Sequence, residues 1–258
     1  RQYKHSSQKG YQTKRAYLLK GEKLPPGEFG VMHGYMKIPE LKKVCHAYGV
    51  SINEYLVAVY VWSVYTECMH GMPSERPVRV AVPVNLRPYF NSITTKNFFV
   101  MVSAEFHPTK EIYTFEEVLK SVSESLRSQI SRENLEKLFS YNVSNEKLLA
   151  ARIVPLFLKN LAMRYVYTTS ALANTATVTN IGNISVSEEY RPYVEMFHAF
   201  LAMSKGQHLK GTICSYGDTL VFSFSYDLTD TSVQRGFFRK IAADGIAVEI
   251  ETNGVNYE

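Results

Sequence analysis

Cysteine is scarce in this chain. Its three thiols, Cys45, Cys68 and Cys214, are odd in number and form no CxxC pair, so they offer neither a disulfide framework nor a zinc site. Reduced thiols of a cytoplasmic protein are the expectation. Long hydrophobic runs are missing too, since a stretch such as Tyr55 to Trp62 falls well short of the roughly 18 apolar residues of a membrane span. The opening RQYKHSSQKGYQTKRAY carries no apolar signal core and no initiator methionine, and it reads as a cut through a longer protein. Charge of one sign is not concentrated anywhere. The net charge of +5 is spread along the chain instead of forming a stripe that tracks a phosphate backbone, so nucleic acid is not indicated. A small positive excess suits a polyanionic ligand and suits plain surface solubility equally well.

Several chemical signatures are absent. Neither GxGxxG nor GxxxxGK[ST] occurs, which removes the common phosphate-cradling loops, and HExxH and GxSxG are missing, which removes the zincins and the nucleophile-elbow hydrolases. No metal site is expected. None of the seven histidines (His5, His33, His46, His70, His107, His198 and His208) is followed four positions later by aspartate. Cys45 and His46 are adjacent, but helix neighbours project about 100° apart and do not face each other. His198 lies in the apolar run YVEMFHAFLA and reads as a hydrogen-bonded histidine inside a sheet.

What is present describes a folded α/β protein. The chain has 258 residues, 45% of them hydrophobic and 21% charged, and its 18 tyrosines and 14 phenylalanines point to a sheet-rich core. Residues 1–29 are polar and broken by Pro25-Pro26-Gly27, as in a linker, and the folded part is expected over 30–258. A strand is expected over Val31 to Ile38, and Pro39 opens a helix through Ala47. Ser51 with Glu54 forms a capping box ahead of a helix that is apolar on nearly every face. Val78, Val80, Val82 and Val84 alternate as a strand, in which Pro83 hints at an edge or bulge. Asn97 to Phe106 makes another strand. Thr114 and Glu117 form a second capping box before Val118, Leu119, Val122, Leu126 and Ile130 at helical spacing. A helical stretch from Asn145 to Thr168 is kinked or split by Pro155. Strands are expected over Asn174 to Asn180, Tyr193 to Ala202, Thr212 to Tyr216 and Thr219 to Tyr226, with a hairpin turn at Gly217-Asp218. A helix over Thr231 to Ala243 stops before Gly245, and Ile246 to Glu251 closes the chain as a strand. The order implies a two-layer α/β (α+β) sandwich, with helices on a mixed, largely antiparallel sheet.

The chemistry concentrates where the strand from Val78 ends in Asn85-Leu86-Arg87-Pro88. A guanidinium is costly to bury alone, so Arg87 there meets a carboxylate or borders a solvent channel, unless it is simply a solvated strand end.

The ordered segments GVSINEYLVAVYVWSV, RVAVPVNLRPYF, NFFVMVSAEF, FEEVLKSVSESLRSQI, ATVTNIGNI and TLVFSFSYDLTDTSVQRGFFRKI resemble the C-terminal half of the chloramphenicol acetyltransferase-like superfamily, in its condensation-domain and alcohol acetyltransferase branch, over residues 30–252. The resemblance implies two halves packed side by side around an active-site tunnel. The catalytic histidine of an HHxxxDG motif in the N-terminal half acts as general base on an alcohol or amine acceptor, which attacks the thioester of acyl-CoA or of a carrier-bound acyl group. This sequence has no such motif. Either the N-terminal half lies upstream or the protein lacks it, and this chain by itself is expected to be inactive, with no catalytic residue of its own.

By the same resemblance, Arg87 corresponds to the arginine that pairs with the aspartate of HHxxxDG, and Asn85 supports its turn. Thr179, Asn180 and Gly182 form an [ST]NxG segment bordering the tunnel, with Asn180 the polar contact. The residue-level alternative is that Asn180 merely ends a strand in a turn with Gly182. No resident cofactor is implied, acyl-CoA being a co-substrate. The expected partners are acyl-CoA, a small acceptor and the N-terminal half. Two other readings stay open: a carrier-protein-dependent condensing half, and a non-catalytic binding module. An unpaired half is also expected to expose an apolar face.

Overall fold

The computed structural model describes residues 14–147 and 154–254. Seven strands form one mixed sheet: β1 (Gly30–Lys37), β2 (Val78–Asn85), β3 (Phe99–Phe106), β4 (Ala176–Asn183), β5 (Leu209–Tyr216), β6 (Thr219–Tyr226) and β7 (Val248–Thr252), in the order β3-β2-β4-β5-β6-β1-β7. β4 runs parallel to both β2 and β5, and every other pair is antiparallel. The mixed, largely antiparallel α/β sandwich read from the sequence is the architecture found.

Helices cover one face. α1 (Ile38–Tyr48) starts on Pro39 and ends at Gly49, whose φ of 69° is the left-handed closure that glycine adopts without strain. α2 (Ile52–Ser63) is capped by both halves of the Ser51/Glu54 box, and every residue from Glu54 to Val61 is buried. Burial on all sides is what its unbroken apolar composition requires, each valine or leucine contributing roughly 1.5–3 kcal/mol. The helix widens into a π turn at Val64–Cys68. The short α3 (Arg87–Phe90) follows β2, and α4 (Phe115–Gln129) starts at the expected Thr114/Glu117 box and buries Val118, Leu119, Val122 and Leu126. α7 (Ser232–Ala243) inserts Phe237 and Phe238 against Phe222 and Phe224 of β6. Tyr60 of α2 donates to the Leu209 carbonyl at 3.0 Å and ties this layer to β5.

Three sequence expectations need revision. The helical stretch expected from Asn145 to Thr168, kinked or split by Pro155, is two helices as that proline implies, but with other bounds: α5 (Arg132–Lys147) and α6 (Leu156–Leu172), Pro155 being the N-cap of α6; residues 148–153 lie outside the described residues. Tyr193 to Ala202 is not a strand. After a 3-10 turn at Glu188–Tyr193 the chain crosses the sheet face that bears no helices, where the strands beneath it already pair on both edges and offer no free ladder. Finally, of the linker-like residues 1–29, those through 13 are outside the described residues, whereas Ala16, Leu19 and Leu24 are buried and Ala16, Tyr17 and Leu24 donate to the carbonyls of Leu172, Pro77 and Asp227.

Apolar surface is concentrated on α6. Leu156, Phe157, Leu161, Met163, Tyr165 and Tyr167 are all more than half exposed there.

Candidate functional site at the diverging ends of two parallel strands

β2 and β4 pair only at Val80↔Ala176 and Ala81↔Thr177. Beyond that point β2 runs on to Asn85 paired with β3 alone, and β4 runs on to Asn183 paired with β5 alone. The cause is readable in the backbone. Arg79 and Thr175 exchange hydrogen bonds, so residues in register with Arg79 turn their peptide groups toward β4. Pro83 is the second such residue after Arg79, and it has no N–H with which to continue the ladder. Chain connectivity enforces the same split, because β2 leads outward to β3 and β4 leads the other way to β5. A crevice at the carboxyl ends of parallel strands whose connections leave in opposite directions is where open α/β sheets take their ligands.

Both motifs singled out in the sequence sit at this end of the sheet. Arg87 follows β2 and is half-buried. Its Nε donates to the Thr94 carbonyl at 2.9 Å, Nη2 to the Lys96 carbonyl at 2.8 Å, and Nη1 to Asn85 Oδ1 at 3.2 Å. Among the described residues no carboxylate pairs with it; carbonyls of the turn that returns to β3 take that place. A guanidinium carries five N–H groups, and these bonds account for three of them, leaving donors on both Nη atoms for an acidic partner. Asn85 also accepts from the Arg87 backbone N–H at 3.1 Å, which fixes the start of α3.

On the other lip, Thr179 is half-buried and Asn180 exposed. Their strand carries a bulge, since Asn180 pairs with Ile213 and Gly182 with Cys214, leaving Ile181 as the extra residue. Asn180 Oδ1 accepts from Gly182 N–H at 2.8 Å, and Gly182 sits at φ 87° with open space around its α-carbon. The turn-forming role of Asn180 is therefore present, and its NH2 group remains available to a ligand. No hydrogen bond joins Arg87 to Asn180. They share an end of the sheet, on separate lips.

Sequence reasoning missed a second arginine. Arg79, 3% exposed, donates through Nε and Nη2 to Glu105 on β3 at 2.8 and 2.6 Å, and through Nη1 to the carbonyls of Ala173 and Lys14. It clamps β2, β3, the entry to β4 and the N-terminal segment. The opposite register of Arg79 and Glu105 was the available signal, but it requires knowing which strands pair. Among the described residues no group of three His, Cys, Asp or Glu side chains is placed to hold a metal, and no helix is long and apolar enough to cross a membrane.

No protein-family model and no curated protein matches the sequence. Solved structures do match its fold. TRI101 of Fusarium sporotrichioides, solved with coenzyme A and T-2, aligns at a TM-score of 0.57 and 11% identity, covering 90% of this chain and 56% of that one. The trichothecene 15-O-acetyltransferase TRI3 from Fusarium sporotrichioides aligns at 0.56 and 14% identity, covering 88% and 48%. The nonribosomal peptide synthetase FmoA3 aligns at 0.54 and 16% identity, covering 88% of this chain and 24% of that one. The chain spans about half the length of the two Fusarium proteins. It has the chloramphenicol acetyltransferase-like fold that CoA-dependent acyltransferases share with condensation domains.

Proposed function

We propose that this chain is the C-terminal half of a cytoplasmic acyl-CoA-dependent O-acyltransferase, transferring an acetyl group to a small alcohol, and that the crevice between β2 and β4 is one wall of its active-site tunnel. What supports the reading is that β2 and β4 run parallel and part after Ala81 and Thr177, so that the NLRP and TNIG segments both lie toward the carboxyl ends of the two strands. The similarity in fold to acetyltransferases supports it, as does the apolar surface of α6, which another half of the fold would cover.

In this reading the catalytic base comes from the other half. It takes the proton of the acceptor hydroxyl, whose oxygen attacks the thioester carbonyl, and the bond to sulfur breaks to release the thiol of coenzyme A. The residues of this chain hold the geometry. Arg87 braces the turn between β2 and β3 and offers its unused N–H groups to an acidic side chain of the base-bearing loop. Asn180 presents its NH2 to the oxygen that gains charge. Acyl-CoA is a co-substrate, and no metal or resident cofactor takes part.

The test is thiol release from acetyl-CoA in the presence of an alcohol, measured on this chain alone and on the protein extended through its upstream coding sequence. Turnover only by the extended protein supports the assignment, and turnover by this chain alone refutes it. A carrier-bound donor is the second reading, favoured by the likeness to a nonribosomal peptide synthetase. Preference for a carrier-tethered acyl group over acetyl-CoA decides for it.

A further inference from the structure

The face of the sheet that bears no helices is nevertheless buried at its centre. Cys214 of β5 and Val221, Ser223 and Ser225 of β6 are each at most 1% exposed. Their cover is the strap formed by residues 194–202. This strap makes no backbone hydrogen bond to the sheet among the described residues, and it is held by side chains alone. Cys214 Sγ donates to the Phe197 carbonyl at 3.1 Å, Ser225 Oγ to the Leu201 carbonyl at 2.6 Å and Lys210 Nζ to the Ala202 carbonyl at 2.7 Å. At its middle, the ring of His198 stacks on that of His33 of β1, with centroids 4.4 Å apart and planes 14° from parallel.

Hydrogen bonds fix the tautomer of His198. Tyr35 has one hydroxyl proton and donates it to Glu251, so its oxygen accepts from His198 Nε2 at 2.9 Å, which makes that nitrogen the protonated one in the neutral ring. His33 Nδ1 is engaged by Ser223 Oγ at 2.7 Å. A further proton on His198 therefore goes to Nδ1, whereas on His33 the Ser223 hydroxyl can either donate to Nδ1 or accept from it. We propose that the stacked imidazoles of His33 and His198 are the catch of an acid-released strap: neutral, they hold residues 194–202 closed, and protonation of both drives the strap off the sheet.

Two protonated rings stacked at 4.4 Å would repel each other as like charges. Glu251 of β7 lies directly opposite His33 and accepts from Tyr35, Glu249 lies opposite Tyr35, and Glu195 lies on the strap beside an open groove of about 760 Å³ that His198 also lines. Lys37, also on β1, is paired with Asp218. Burial, then the neighbouring His198, lower the pKa of His33, while Glu251 raises it. The sign follows: a histidine whose folded value is depressed stabilises the closed strap fully above the ordinary imidazole range, and that contribution is lost as pH falls through the depressed value. Opening exposes the row Thr212, Ser223 and His33, which is in register with Thr179 at the candidate site. The Thr212 hydroxyl is buried there with no hydrogen-bond partner.

Cys214 reports the strap, and Cys45, 3% exposed on the helix side, reports opening of the whole domain. Labelling by a pyridyl disulfide, quantified peptide by peptide by mass spectrometry, is compared at about pH 8 and about pH 5. The expected result is a rise of roughly tenfold or more in the Cys214 rate relative to Cys45 at the lower pH. His198→Gln, at an exposed position, and separately His33→Gln are expected to abolish that relative rise. An unchanged ratio in the unsubstituted protein, or a rise that persists in His198→Gln, overturns the proposal.

Discussion

Asn85 and Arg87 are locked to each other at the mouth of the crevice: one side-chain oxygen accepts both the backbone N–H and the guanidinium Nη1 of the arginine, at 3.1 and 3.2 Å. The same guanidinium holds the carbonyls of Thr94 and Lys96. Arg87→Ala should cost about 1 kcal/mol, because those carbonyls are near enough to the surface for water to replace the lost donors. Faster amide exchange confined to residues 91–98 is the expected signature, and a loss spread over the whole sheet would show a different role for the side chain.

Pro83 keeps β2 and β4 apart in this account. Pro83→Val restores an N–H facing β4 and favours the strand, so the ladder should extend past Ala81 and Thr177 and narrow the crevice. Thermal stability is expected to hold or rise while acyl transfer by the extended protein falls at least about tenfold, a coupling of gain and loss found where a site is built on an incomplete structure. Retained activity together with a protected amide at position 83 would break the link between the crevice and catalysis.

Gly182 and Gly34 separate backbone strain from steric clash. At Gly182, φ is 87° and an added Cβ meets nothing, so Gly182→Ala should lose roughly 1–2 kcal/mol from backbone conformation alone. At Gly34 an added Cβ would lie 2.1 Å from the Phe238 ring, so Gly34→Ala should be the more damaging, through displaced packing. Urea denaturation of both variants checks the order, and a smaller loss at Gly34 would contradict it.

Glu54 supplies a pH dependence. Burial pushes its pKa up, but hydrogen bonds from Arg127 and from Ser51 outweigh that and hold the carboxyl below its usual value. Its contribution is therefore present above the ordinary glutamate pKa of about 4.3 and is lost as pH falls through the depressed folded value. Glu54→Gln keeps the capping geometry and removes the charge, so it should destabilise by about 1 kcal/mol near neutrality and progressively less in acid. Equal destabilisation at both pH values would mean that shape, not charge, is what matters.

The parts of the fold that were legible are those specified by neighbours in sequence. Both capping boxes, the alternating valines of β2, the Gly217-Asp218 hairpin and the left-handed Gly245 act over a few residues and stand where the pattern put them. The candidate site was half legible. Its two motifs could be read, but the gap between them exists only because β2 and β4 become neighbours almost a hundred residues apart and Pro83 then faces the seam. Tyr193 to Ala202 misled for a related reason: an apolar extended run looks like a strand, but the strands beneath it already pair on both sides, which makes it a strap. His33 and His198 lie 165 positions apart, and no local pattern announces their stacking.

The central claim is tested most directly by Asn180→Ala in the protein extended through its upstream coding sequence, followed by thiol release from acetyl-CoA with a saturating alcohol. The account expects kcat to fall at least about tenfold while thermal stability changes by less than about 1 kcal/mol, because Asn180 is exposed and, in the proposed function, presents its NH2 to the oxygen that gains charge. An unchanged kcat, with the unsubstituted extended protein active, would contradict the placement of the reaction at this crevice.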